Sequence, residues 1–197
     1  MNLDWHLVVG TIGGVLAMVA VIPYIKDILH GTTRPNIVSF SLWAVLLAIS
    51  IVAQMSAGAS WSVVLLIGDL IGTSSIVVLC LIGYGYGKYG WLELVCTILA
   101  IIAIVSWQLT HEPVLALVFA VVADLMAAVP TIVKAYRDPW SEAPTQWLLI
   151  ALASALAIAS TTIFDPANLI FPVYLLLVNG TTGTLAFFGR RLMHKPN

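Results

Sequence analysis

Residues 114–147, VLALVFAVVADLMAAVPTIVKAYRDPWSEAPTQW, hold a long apolar run with one acid, Asp124, near its middle and one proline, Pro130, a turn and a half further on. A polar turn with Lys134, Arg137, Asp138 and Glu142 follows, and Pro144 opens the next apolar run. A helix needs about 20 apolar residues to cross a hydrocarbon layer some 30 Å thick. The stretch therefore predicts one membrane crossing, a charged turn and the start of another crossing. The chain contains this pattern twice. Residues 21–43, VIPYIKDILHGTTRPNIVSFSLW, place Pro23 late in an apolar run, followed by Lys26, a charged turn and Pro35. A pattern repeated about half a chain apart predicts two similar units facing each other across a shared site.

Composition agrees with a membrane solvent. Of the 197 residues, 61% are hydrophobic and 9% charged, where soluble domains carry roughly 25% charged residues; the mean hydropathy is +1.05. A formal net charge of −1 leaves no concentrated basic surface for nucleic acid. Cys80 and Cys96 fall inside apolar runs and read as small buried hydrophobes. No Cys/His spacing predicts a metal, and no cofactor is expected. Nothing points to an enzyme: GxSxG and HExxH are absent, and His6, His30, His111 and His194 fall at predicted helix ends or in loops. The first fifteen residues have neither Lys nor Arg and no small-residue cleavage site, so the first helix is expected to stay as an anchor.

Turn chemistry in GTTRP, SAGAS, YGYGKYG, THEP, RDPWSEAP and DPAN divides the chain into seven apolar runs, expected as helices over 7–29, 37–54, 61–83, 91–109, 114–136, 146–164 and 169–189. With alternating crossings, all eight basic residues (Lys26, Arg34, Lys88, Lys134, Arg137, Arg190, Arg191 and Lys195) share one side, and Asp4, Glu112 and Asp165 take the other. The positive-inside rule then puts the C-terminus in the cytoplasm and the N-terminus outside. That is the expectation for a multi-pass protein of a bacterial or archaeal plasma membrane. Trp5, Trp61, Trp91, Trp107 and Trp140 lie near predicted helix ends, where indoles settle at headgroups. Trp43 and Trp147 lie further into the second and sixth helices, and both an inward-facing role and interface anchoring stay open for them.

Pro23 and Pro130 are 107 residues apart, and the same register, with slippage in the loops, sets IGDLIGTSS (67–75) beside VNGTTGT (178–184), with Asp69 on Asn179. The fourth helix has no counterpart. The expected all-α fold is thus seven transmembrane helices, three plus one plus three: a first triple-helix bundle over 1–90, a linker helix over 91–112 and a second bundle over 113–197. The odd fourth crossing makes the two bundles parallel repeats. This arrangement, with its outside N-terminus, paired prolines and seventh-helix amide, resembles the SWEET sugar transporters and the wider PQ-loop (MtN3-like) superfamily along the whole chain. The resemblance implies alternating access about a midplane site. It implies hinge roles for Pro23, Pro35, Pro130 and Pro144, and it sets Asp69 and Asn179 where the family has two sugar-contacting asparagines. Tyr24 follows Pro23 and Thr131 follows Pro130, so the family's Pro-Gln dipeptide is absent from both halves. Asp69 is an acid where the family has an amide, which points away from a plain neutral sugar.

At 1.5 Å rise per residue, Asp69, Asp124 and Asn179 fall roughly 12 to 15 Å below one set of helix ends. An ionised Asp at a helix centre costs on the order of 2.5 to 3.5 kcal/mol, and no Lys or Arg is deep enough to pair with either acid. Each acid is expected to be protonated, hydrated in a cavity, or bound to a cation or polar partner. The plainer role is interhelical bonding through Ser or Thr. Thr73 and Thr182 share the faces of Asp69 and Asn179 and either extend a polar patch or bond their own backbone. Gly10 with Gly14, and Gly68 with Gly72, predict close helix approach. Pro23 and Pro130 each remove a backbone hydrogen bond and predict a bend or a kink. The expected function is a carrier for a sugar or another small polar solute, with proton coupling and homo-oligomerisation left open. The alternatives are a seven-helix receptor, which would hold bases inside its cavity, and an assembly partner without transport.

Overall fold

The computed structural model describes residues 4–31, 35–87, 90–141 and 144–192, except for the side chains of residues 92, 93, 103, 130, 134 and 141. Apolar runs fold as helices because a backbone without water must satisfy its own polar groups. The helices are α1 (Trp5–Ala20), α2 (Ile22–Leu29), α3 (Ile37–Ser56), α4 (Val63–Leu79), α5 (Trp91–Thr110), α6 (Pro113–Arg137), α7 (Pro144–Ala159) and α8 (Pro166–Leu192), with a π turn over Cys80–Tyr84 after α4 and a 3-10 turn over Pro139–Ser141. Five spans, Trp5–Leu29, Ile37–Ser56, Val63–Tyr84, Pro113–Arg137 and Pro166–Leu192, are long and apolar enough to cross a membrane. Leu94–Thr110 and Pro144–Ala159 are shorter apolar helices.

Local chemistry moves three expected boundaries. The first run breaks at Val21, between α1 and α2, because Pro23 has no N–H to donate and its ring crowds the carbonyl four residues earlier. The sixth run ends at Ala159 rather than at 164. There the Ser160 and Thr161 hydroxyls donate to the Ala157 carbonyl, at 2.8 and 3.1 Å, and compete with the helix. DPAN is a helix start rather than a loop: Pro166 is the first helical residue, and the Asp165 carboxylate accepts from the Asn168 N–H at 2.8 Å.

Helix packing does not follow chain order. α4 packs on both α1 and α3, and α8 on both α6 and α7. The two groups meet where α1 lies on α7 and α3 on α6, which closes a ring in the order α1, α4, α3, α6, α8, α7. α5 stands outside the ring against α6 and α3, with the Cys96 thiol donating to the Ala123 carbonyl at 3.2 Å. Small residues let the backbones close. A Cβ on Gly68 would run into the Gly14 carbonyl, one on Gly14 into Val64, and one on Gly13 would lie 3.1 Å from the Ala153 carbonyl of α7. α1 is thus held between α4 and α7 by its glycine face, the close approach that small-residue spacing permits. Large apolar side chains such as Leu81, Ile82, Leu177 and Val78 point outward and are more than half exposed. Ser50, Gln54, Ser154, Asn168 and Asn179 are buried, the inside-out pattern of a chain in lipid.

Two ends can be distinguished. Lys26, Arg137, Arg190 and Arg191 lie near helix ends on one side, the basic end, where the Arg190 Nε donates to the Pro139 carbonyl at 3.0 Å and its guanidinium stacks on Trp140. Arg34, Lys88 and Lys195 lie outside the described residues. Asp4, Glu112 and Asp165 lie at the opposite, acidic end.

Candidate functional site: a cavity within the six-helix ring

Inside the ring is a cavity of about 420 Å³. Its wall reaches from Ala17, Asp69, Asp124 and Phe171 at mid-depth to Asp27, Phe40 and Gln146 at the basic end. Every helix except α5 contributes. Among the lining residues, Ala17, Val21 and Tyr24 from the first run stand 107 residues before Asp124, Ala128 and Thr131 of α6, the spacing of Pro23 and Pro130. Trp43 and Trp147, 104 residues apart, both line the cavity. Each is followed by a buried serine, Ser50 or Ser154, that donates to the carbonyl four residues earlier at 2.9 or 2.8 Å.

All seven residues singled out for solute contact, Asp69, Asn179, Asp124, Thr73, Thr182, Trp43 and Trp147, line this one cavity. Asn179 is 6% exposed and donates through Nδ2 to the Leu175 carbonyl at 2.8 Å. Only the amide nitrogen can make that bond, so the Asn179 oxygen is left as an acceptor. Thr182 bonds its own helix, to the Val178 carbonyl at 2.8 Å, whereas buried Thr73 and the Asp69 carboxyl have no hydrogen bond among the described residues. Asp124 accepts a hydrogen bond from the Tyr174 hydroxyl through Oδ2.

The prolines do not act alike. Pro23 sits at the α1–α2 break. Pro144 is the first residue of α7, where its missing N–H costs nothing. Pro35 lies buried before α3, with its carbonyl accepting from the Tyr86 N–H at 3.0 Å. The backbone at Pro130 is helical within α6, and its side chain lies outside the described ones. A further proline, Pro172, lies inside α8 next to cavity-lining Phe171.

At the acidic end Asn168 bonds across the helix connections. Its Oδ1 accepts from the Ser60 N–H at 2.9 Å, and its Nδ2 donates to the Gly58 carbonyl at 3.4 Å and to Asp165 at 3.0 Å. The Ser60 hydroxyl in turn accepts from the Thr162 N–H at 2.7 Å. The α3–α4 connection is thereby tied to the α7–α8 connection. Tyr174 and Asn168 did not stand out in the sequence, because their partners lie 50 and 108 residues away. Their only sequence signal is polar chemistry in or beside an apolar run. Among the described residues, no group of three or more His, Cys, Asp or Glu is placed to hold a metal ion. No family model matches the chain, and no curated protein or solved structure matches it either.

Proposed function

We propose that the chain is a carrier for a small polar solute, built as two parallel three-helix units (1–90 and 113–197) joined by a linker helix (91–112), in the manner of the SWEET and PQ-loop transporters. The observation that carries the reading is a cavity lined by both halves of the chain, with carboxyl and amide groups at mid-depth and a hydrogen-bonded network joining the helix connections at the acidic end. A carrier needs such a site near the bilayer midplane and one closed gate at a time. The Asn168 network serves as the closed gate, and the Val21–Pro23 break gives α1 and α2 a place to bend. By the distribution of Lys and Arg, the basic end is cytoplasmic, so this conformer faces inward.

A receptor that captures an anionic ligand is less well supported, because no Lys, Arg or His occurs among the described residues lining the cavity. The test is uptake by proteoliposomes of labelled sugars, amino acids and vitamins, with and without a pH gradient. Saturable uptake of one class supports the carrier; no uptake of any of them counts against it.

A further inference from the structure

We propose that the cavity is built to bind a small organic cation, a quaternary or aromatic ammonium, rather than a neutral polyol. The inference deepens the carrier reading and takes from it only that this cavity is where solute binds. The first observation is an excess of acceptors. The wall carries Asp69 and Asp124 at mid-depth, with no base among its described residues. The Asn179 oxygen faces away from the bond that its nitrogen makes. Thr73, nine-tenths buried and one helical turn from Asp69, lines the cavity without a hydrogen bond among the described residues. The Thr73 hydroxyl is therefore open to an occupant of the cavity.

The second observation is aromatic and independent of the first. Trp43 and Trp147 line the cavity from equivalent positions of the two units. The Trp43 ring is held by edge-on Phe40, at 5.0 Å between centroids and 85° between planes, and Phe40 is backed by Tyr24 at 5.6 Å. Indole faces carry negative potential and attract desolvated cations. The Asp69 and Asp124 carboxyls have no basic partner among the described residues of the wall, and aromatic faces supply a non-hydrogen-bonding surface for methyl or ring groups. A neutral sugar could use the acceptors and stack on the indoles, but it would bring no positive charge to the two mid-depth carboxyls. A hydrated metal ion would gain little from the tryptophans.

The experiment uses the full chain in lipid nanodiscs and two soluble pairs that differ in charge but little in shape: choline against 3,3-dimethylbutan-1-ol, and 1-methylnicotinamide, the ring-methylated pyridinium cation, against nicotinamide. Binding is read by titration calorimetry and by quenching of tryptophan fluorescence. The expected result is that at least one cation binds about tenfold or more tighter than its neutral partner. Asp69→Asn and Trp43→Leu should each weaken that cation by a similar factor while the neutral partner is unaffected. Should either variant fail to fold, the wild-type comparison of each pair decides alone. Equal binding of cation and neutral partner, or no saturation by either cation at about 10 mM, overturns the proposal. Cation binding without counterflow in proteoliposomes supports the inference and tells against the carrier. Flux of neutral solutes without cation binding supports the carrier and overturns the inference.

Discussion

Asn168→Ala removes the side chain that ties the α3–α4 connection to the start of α8. Two bonds across that junction are lost, from the Ser60 N–H at 2.9 Å and to the Gly58 carbonyl at 3.4 Å. The second is long and counts for little. The first contributes about 1 kcal/mol net, and its loss also strands a buried donor, since Ser60 is 3% exposed. A total of about 2 kcal/mol against the closed gate corresponds to roughly a 30-fold shift in the open-to-closed ratio. The assay places a thiol at Ala128, which lines the cavity one helical turn from Asp124 and is partly exposed. Cys80 and Cys96 are both buried and give a low background. A membrane-impermeant methanethiosulfonate reagent is added from the face that carries Asn168. With Asn168 intact, Ala128→Cys should react slowly from that face and readily from the basic end. With Asn168→Ala it should react faster from the acidic end, by an order of magnitude or more. Unchanged labelling would show that Asn168 does not hold a gate, and would refute the assignment of the acidic end as the closed side.

Three further outcomes are expected. Gly68→Ala drives a methyl group into the Gly14 carbonyl and should cost about 1 to 3 kcal/mol, read as a lower Tm and poorer monodispersity in detergent; an unchanged Tm would mean that α1 and α4 are not in backbone contact. Tyr174→Phe deprives Asp124 of its donor and should weaken solute binding by several-fold, from about 1 kcal/mol for the lost bond; wild-type affinity would place Asp124 outside the binding role. Asp69→Asn and Asp124→Asn, made separately, should remove any acceleration of uptake by a proton gradient at whichever acid carries the proton. Uptake by the unmodified protein that is the same at every pH would exclude proton coupling altogether.

The residues of the cavity were more legible in the sequence than the way the helices pack around it. Asp69, Asp124 and Asn179 stand out because a polar group within an apolar helix is costly, and the structure brings all three to one cavity. The 107-residue offset was readable from Pro23 and Pro130 alone, and it reappears in which faces of α1, α2 and α6 look inward. The ring order was not readable. α4 lies between α1 and α3 because Gly14 and Gly68 allow backbone contact, and spacing alone does not say which neighbour a glycine face will choose. The early end of α7 depends on how Ser160 and Thr161 orient their hydroxyls. The pairing of Asp124 with Tyr174 and of Asn168 with Ser60 exists only after the chain has folded.

The central claim is that solute passes through the cavity between the two units. It is tested most directly by counterflow of a labelled solute in proteoliposomes, comparing wild type with Ala128→Trp, which fills part of the cavity from α6, once the variant is shown to keep its Tm. Saturable exchange in the wild type that is lost in the folded variant is the predicted result. Exchange that persists at the wild-type rate with the cavity filled, or no exchange in either protein, would contradict the account.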